Sequence, residues 1–277
     1  MSRPKLGEYI RENELFAKKS LGQHFLLDIN LTSKIAGLLQ IDDDDVIFEI
    51  GPGPGGLTQA LLNTKAKKII AIEKDERFVE HLKTYFSDDL GRLEVISGDA
   101  LKIFPAQYLR DNGIECKSAK IIANLPYNVG TQLFLNWVTG EEKDWEMALM
   151  FQMEVAKRIC AQTGDNHYGR LAILTQAVCH AHVGMHVPRL AFSPPPKVES
   201  AVAVITPKKK NRYDDLETLG KVTQAAFSQR RKMLRSSLAP LGDAEALCEA
   251  AGVKPTLRPE QLSPEGFYAL CEAVKKN

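Results

Sequence analysis

The residues with the most chemical content stand four in a row, Asn124-Leu125-Pro126-Tyr127, directly after the strand-like run "AKIIA". Asn and Pro both punctuate secondary structure, so a plain turn is one reading. The other is a pocket for a planar group bearing an exocyclic amine. Such an amine is a poor nucleophile, because its lone pair is delocalised into the ring. A site helps by accepting a hydrogen bond from each N–H, one at the Asn124 side-chain oxygen and one at a backbone carbonyl such as that of Leu125. The pyramidal amine is then favoured, through positioning and electrostatics rather than acid–base chemistry. Tyr127 can stack on a base held out of its helix. Pro126 fixes the turn and offers no competing N–H.

An electrophile must lie opposite that amine, and the stretch "EIGPGPGGLT" offers a place for its carrier. Gly51-x-Gly53-x-x-Gly56 follows an apolar strand and opens a helix, which lets backbone approach a ligand closely. The next strand ends in Glu73, at the spacing expected for an acid on a ribose hydroxyl pair. Alone, this pattern supports a dinucleotide as readily as any other adenosine-containing cofactor. Two acids tilt the choice. Glu49 would repel a pyrophosphate but suits a cationic, amino-acid-bearing ligand if it points that way. Asp99, in "GDA", can accept from an adenine amino group; its structural alternative is a helix cap or turn. Acids after the first three strands, with Asn124 after the fourth, suggest S-adenosylmethionine across the strand ends, where doubly wound folds bind ligands.

The elements that must position these residues can be traced along the chain. Apolar strands over 46–50, 68–73, 93–99, 119–124 and 146–152 alternate with helical stretches, one of them capped by Asp75. That alternation predicts a parallel sheet covered on both faces. After about residue 180, "HAHVGMHV" and "KVESAVAVITP" read as two strands joined by a proline-rich loop, which predicts one antiparallel strand closing the sheet. A linker over 208–215 leads to four helical segments. The expectation is an α/β methyltransferase-type domain over 1–206 and a small helical domain over 207–277, without internal repeats.

Bulk properties narrow the classes. The 277 residues are 44% hydrophobic and 26% charged, with net charge +1, an ordinary globular composition. No apolar run approaches the roughly 18 residues needed to cross a bilayer, and the charged N-terminus lacks a secretory apolar core. Five scattered cysteines without a CxxC pair argue for a reducing cytoplasm over a disulfide framework. Cys179, His180, His182 and His186 lack the paired spacing of a structural zinc site, so no metal is expected. No heptad or apolar helix face demands a partner, which makes a monomer the default. Charge is unevenly spread: Lys208 to Ala239 holds nine Lys/Arg against three Asp/Glu. A helix there would place Arg231 and Arg235 on one face, flanked by Arg230 and Lys232. A charge run is ordinarily a solvated face; beside a site that needs a phosphate-rich partner, it is expected to contact RNA.

Together "KKSLGQHFLLD", "EIGPGPGGLT", "IEKD", "GDAL", "NLPYNV", "PKVESAV" and "FSQRRKMLRSSL" resemble the ribosomal RNA adenine dimethyltransferases, from about residue 18 to the C-terminus. Within that family the bacterial small-subunit type, which dimethylates two adjacent adenosines near the 3′ end of 16S rRNA, is the nearer likeness. The resemblance implies a Rossmann-like fold, S-adenosylmethionine as donor and pre-30S particles as substrate. It implies cofactor contacts at His24, Leu26, Gly51, Glu73, Asp99 and Asn124, and a second ring, Phe192, against the base opposite Tyr127. Position 24 is asparagine in many members; histidine there can still donate or accept. The related 23S methylases usually carry isoleucine where this chain has Leu125, and the basic segment also favours the small-subunit type. Remaining rivals are an assembly factor with incidental methylation, a nicotinamide oxidoreductase, and a DNA adenine methylase, whose motif usually begins with an acid. Residues 1–17 have no obvious role.

Overall fold

The computed structural model of the protein describes residues 4–18, 22–210, 212–229 and 231–276. Among these, the strands are β1 Phe25–Leu26, β2 Asp45–Ile50, β3 Lys68–Glu73, β4 Leu93–Ser97, β5 Ser118–Asn124, β6 Glu146–Gln152, β7 Cys179–Val187, β8 Phe192–Ser193 and β9 Ser200–Pro207. Seven form one sheet in the order β4-β3-β2-β5-β6-β9-β7, and β1 pairs with β8. The pairs β2–β3, β3–β4, β2–β5 and β5–β6 are parallel, while β9 runs antiparallel to β6. Strand order reverses between β2 and β5, so the ends of these two strands flank the crevice where such sheets take ligands.

The central strands are mostly apolar, as expected of strands buried on both faces. Every residue of β2 is buried, and Ile47, Phe48, Ile69, Ile70 and Ile121 are fully buried, each side chain contributing about 1.5–3 kcal/mol. Helix starts follow local chemistry. The Asp75 side chain accepts from Arg77 N–H at the head of the helix Glu76–Tyr85, and Asp28, Asp215 and Asp243 cap three others in the same way. The third main strand stops at Ser97, two residues short of expectation. Asp99 instead heads a turn, its side chain accepting from Leu101 N–H and its carbonyl from Lys102 N–H. The N-terminal segment forms a helix, Leu6–Glu12, whose Leu6 and Ile10 enter the core with Leu15.

Contacts divide the chain into two compact units that part at 206/207, the second differing from the expected 207–277 in also taking two earlier segments. One holds the described residues up to Trp137, with Trp145–Ala156 and His182–Thr206; the other holds Val138–Asp144, Lys157–Ala181 and the described residues from Pro207 onward. The helix Arg170–Val178 explains the difference. It is apolar almost all round, Leu171, Ile173 and Leu174 among its buried residues, and it contacts the helices Leu216–Ser228 and Pro264–Lys276.

The basic segment is not one helix. The helix Leu216–Ser228 ends at Gln229, and a short helix, Leu234–Ser237, begins only after Met233 in extended conformation. The amides of Leu234 and Arg235 donate to the carbonyls of Leu257 and Pro255 rather than to a preceding helical turn. Leu234 and Leu238 are thereby buried. Arg231 and Arg235 therefore do not share a helical face, although they and Lys232 are exposed; Arg230 lies outside the described residues. On β7, His180, His182 and His186 do share an exposed face, and among the described residues no group of His, Cys, Asp and Glu is placed to hold a metal. No helix of the described residues is long and apolar enough to cross a membrane.

Candidate active site

A cleft opens at the ends of β2, β3 and β5, and it gathers residues far apart in sequence. His24, Leu26, Gly51, Glu73, Asp99 and Asn124 all line it, as do Leu125, Pro126 and Tyr127. The six positions expected around a cofactor and the target-amine motif thus share one wall system.

Asn124 closes β5, and its Nδ2 donates to the backbone carbonyl of His24 at 3.0 Å. A carbonyl can only accept, so this bond fixes the amide orientation and leaves Oδ1 as the acceptor. The carbonyl of Pro126 is taken by the amides of Val129 and Gly130, which removes it as a second acceptor. Tyr127 is half-buried, and its hydroxyl shares a 2.6 Å hydrogen bond with Ser200 Oγ on β9. Burial pushes its pKa up, so the phenol stays neutral and the ring is pinned at its far end. Sequence reasoning missed Ser200. Its only signal was its place in "PKVESAV".

The rings are arranged differently from expectation. Phe192 is 3 % exposed, part of the core, because β8 pairs antiparallel with β1 and sets Phe192 opposite Leu26. The ring that faces Tyr127 in the cleft is that of His24, 5.5 Å away and tilted 31°. Phe192 meets the His24 ring edge-on from behind, at 6.4 Å. His24 Nδ1 bonds to the Pro194 carbonyl at 2.8 Å, which makes Nδ1 the protonated nitrogen.

The acids are held by backbone and neighbours. Glu73 Oε1 accepts from the amides of Lys74 and Asp75, and Oε2 accepts from Gly53 N–H at 3.0 Å. Oε2 keeps a lone pair for a hydroxyl. Burial raises the Glu73 pKa against these lowering hydrogen bonds. Glu49 is almost wholly buried in the cleft wall, with Thr58 Oγ1 donating to Oε2 at 2.6 Å. Desolvation pushes its pKa up to about 8, so a cationic ligand would favour its ionised form. Asp99 is paired with Lys74 Nζ at 2.8 Å, and this hydrogen bond lowers its pKa. The glycine turn is tight where it opens the helix: a Cβ on Gly56 would overlap the Leu26 carbonyl oxygen. Close backbone, an acid able to take a ribose hydroxyl and a buried carboxyl suited to a cation fit an adenosine joined to a cationic amino acid.

The sequence profile of the family described as "Ribosomal RNA adenine dimethylase" matches residues 15–276. A Caulobacter vibrioides protein named "Ribosomal RNA small subunit methyltransferase A" is 52% identical over 93% of this chain and 97% of its own. Its namesake in Phenylobacterium zucineum is 49% identical over 98% of this chain and 92% of its own. Among solved structures, a dimethyladenosine transferase from Plasmodium falciparum superposes with a TM-score of 0.74 at 27% identity, covering 91% of this chain and 98% of its own. A 23S rRNA methyltransferase, ErmE, shares the fold with a TM-score of 0.67 at 24% identity, covering 91% and 99%. Matched from near its first residues to its last helix, and built around a cleft of the required chemistry, the chain belongs to the ribosomal RNA adenine dimethylase family, enzymes that methylate rRNA with S-adenosylmethionine.

Proposed function

We propose that this enzyme dimethylates the N6 amines of two adjacent adenosines near the 3′ end of 16S rRNA, in pre-30S particles and as a monomer. The observation that carries the reading is the orientation of Asn124, whose amide nitrogen is committed to His24 and whose oxygen faces the cleft as an acceptor. Relatives near 50% identity that bear the small-subunit name favour 16S over 23S rRNA.

S-adenosylmethionine, when bound, supplies an electrophilic sulfonium methyl. Glu73 would hold the ribose hydroxyls through Oε2, and Asp99 would accept from the adenine amine. His24, Leu26 and Gly51 complete the walls, and Glu49 faces the cationic amino-acid end. On the substrate side, Asn124 Oδ1 and the Leu125 carbonyl accept one hydrogen bond each from the target amine in the first transfer, and one of them accepts the single N–H left for the second. The lone pair is freed for attack with no general base, since the product ammonium loses its proton to water. Tyr127, anchored at Ser200, stacks on the flipped base, and Phe192 backs the His24 ring from the core. Arg231, Lys232 and Arg235, with Arg230 beside them in sequence, contact RNA phosphates.

Nucleoside mass spectrometry after incubation with S-adenosylmethionine tests this, using unmethylated 30S particles and naked 23S rRNA in parallel. Dimethyladenosine in the 30S sample alone is expected. Product only from 23S rRNA would overturn the substrate assignment, and none from either would overturn the activity.

A further inference from the structure

The helix Glu76–Tyr85 lies directly behind the glycine turn, and it carries a buried histidine that the chemistry above does not use. His81 is 5 % exposed, and its Nε2 bonds to the carbonyl of Pro54, inside the turn, at 2.9 Å. Since a carbonyl only accepts, Nε2 is the protonated nitrogen. Burial lowers the His81 pKa, so the ring is neutral. Among the described residues its Nδ1 is buried with no hydrogen-bond partner. A buried unpaired acceptor is a cost that an apolar ring would not carry. What the imidazole gives that phenylalanine cannot is the bond to Pro54.

That bond completes the fixing of the turn. Gly51 N–H donates to Ile72 O, Gly53 N–H to Glu73 Oε2 and Gly55 N–H to Pro52 O. With His81 on the Pro54 carbonyl, both polar ends of the Pro54–Gly55 peptide are held. Gly55, at φ +93°, lies so close to the helix that a Cβ would overlap Phe86 and Leu82. The N-terminal segment covers the other side of the imidazole. The Tyr9 ring is 5.1 Å from that of His81 and 5.0 Å from that of Tyr85, and the Tyr85 hydroxyl donates to Pro4 O at 2.7 Å. Leu6 and Ile10 anchor this cover in the core that also holds Phe78 and Leu82.

We propose that His81 is a positioning residue for the donor-binding turn, and that the N-terminal helix, through Tyr9, keeps it in place and so sets affinity for S-adenosylmethionine. Residues 4–12 are then a brace for the turn. The inference rests on the assignment of the cleft to S-adenosylmethionine.

Calorimetric titration of the full chain with S-adenosylmethionine, alongside steady-state kinetics on 30S particles, tests it. His81→Phe is expected to weaken donor binding about fivefold to tenfold, the worth of one hydrogen bond, with the loss falling on the KM for the donor rather than on kcat. His81→Gln, which keeps an N–H in reach of Pro54, should recover most of that affinity. Tyr9→Ala should weaken binding about twofold to fivefold by loosening the ring, within the range of one aromatic contact. Wild-type affinity in His81→Phe, or His81→Gln no better than His81→Phe, overturns the proposal. Should His81→Phe fail to fold, wild-type affinity in Tyr9→Ala overturns it instead. Asp99→Ala is the control for the cleft: if that variant binds the donor as tightly as wild type, the cofactor assignment has failed rather than the brace.

Discussion

The side chain of Asn124 is held at its nitrogen by a carbonyl 100 residues away in sequence. Asn124→Ala removes the acceptor needed at the reacting amine, so methyl transfer is expected to fall about 100- to 1,000-fold. RNA binding should stay close to wild type, read by single-turnover methylation beside filter binding. Asn124→Asp would not rescue it, because a carboxylate facing the His24 carbonyl sets acceptor against acceptor. The hydroxyls of Tyr127 and Ser200 form the other pair open to direct measurement. If their bond holds the stacking ring, Tyr127→Phe and Ser200→Ala should each lower turnover, and the double variant should be little worse than either. The cycle should return a coupling of about 1 kcal/mol.

At the scale of elements, the glycine turn and the basic segment depend on their neighbours in opposite ways. Gly56 opens the helix Gly56–Leu62 against the backbone of Leu26. Gly56→Ala must displace main chain, and chemical denaturation should show a loss of about 1–3 kcal/mol. The basic segment instead gives up helical continuity so that Leu234 and Leu238 are buried. Arg231 and Arg235 then project from a turn and a short helix, both exposed. If each meets a phosphate, the double Ala variant should flatten the slope of log K against log salt by about 1.4 to 1.8. An unchanged slope returns both to a solvated surface.

For the whole molecule, the buried carboxyl of Glu49 links stability to pH. Its folded pKa, about 8, lies above the ordinary 4.5, so the folded protein keeps a proton that the unfolded chain has lost. Stability therefore falls as pH rises between those values. Glu73, also raised by burial, acts in the same direction. His81, whose pKa is lowered from 6.5, opposes them only below that value. From pH 6.5 to 8, thermal denaturation should show a falling midpoint, and Glu49→Gln should reduce the slope. A wild-type midpoint flat over this range would show that Glu49 is ionised in the folded protein.

Much of the site was legible because it lies where short-range patterns end. The sheet strands over 46–50, 68–73, 119–124 and 146–152, the Asp75 cap and the glycine turn follow from burial and local hydrogen bonding within a few residues, and Asn124, Glu73 and Asp99 sit at or just past strand ends. Sequence alone thus determined that Asn124, Glu73 and Asp99 reach the crevice. Tertiary structure decided how they are held. The direction of the Asn124 amide, the inward turn of Phe192, the break after Gln229 and the bond from His81 to Pro54 each depend on a partner distant along the chain. Local propensity carries no information about such partners, because they become neighbours only when the sheet has assembled.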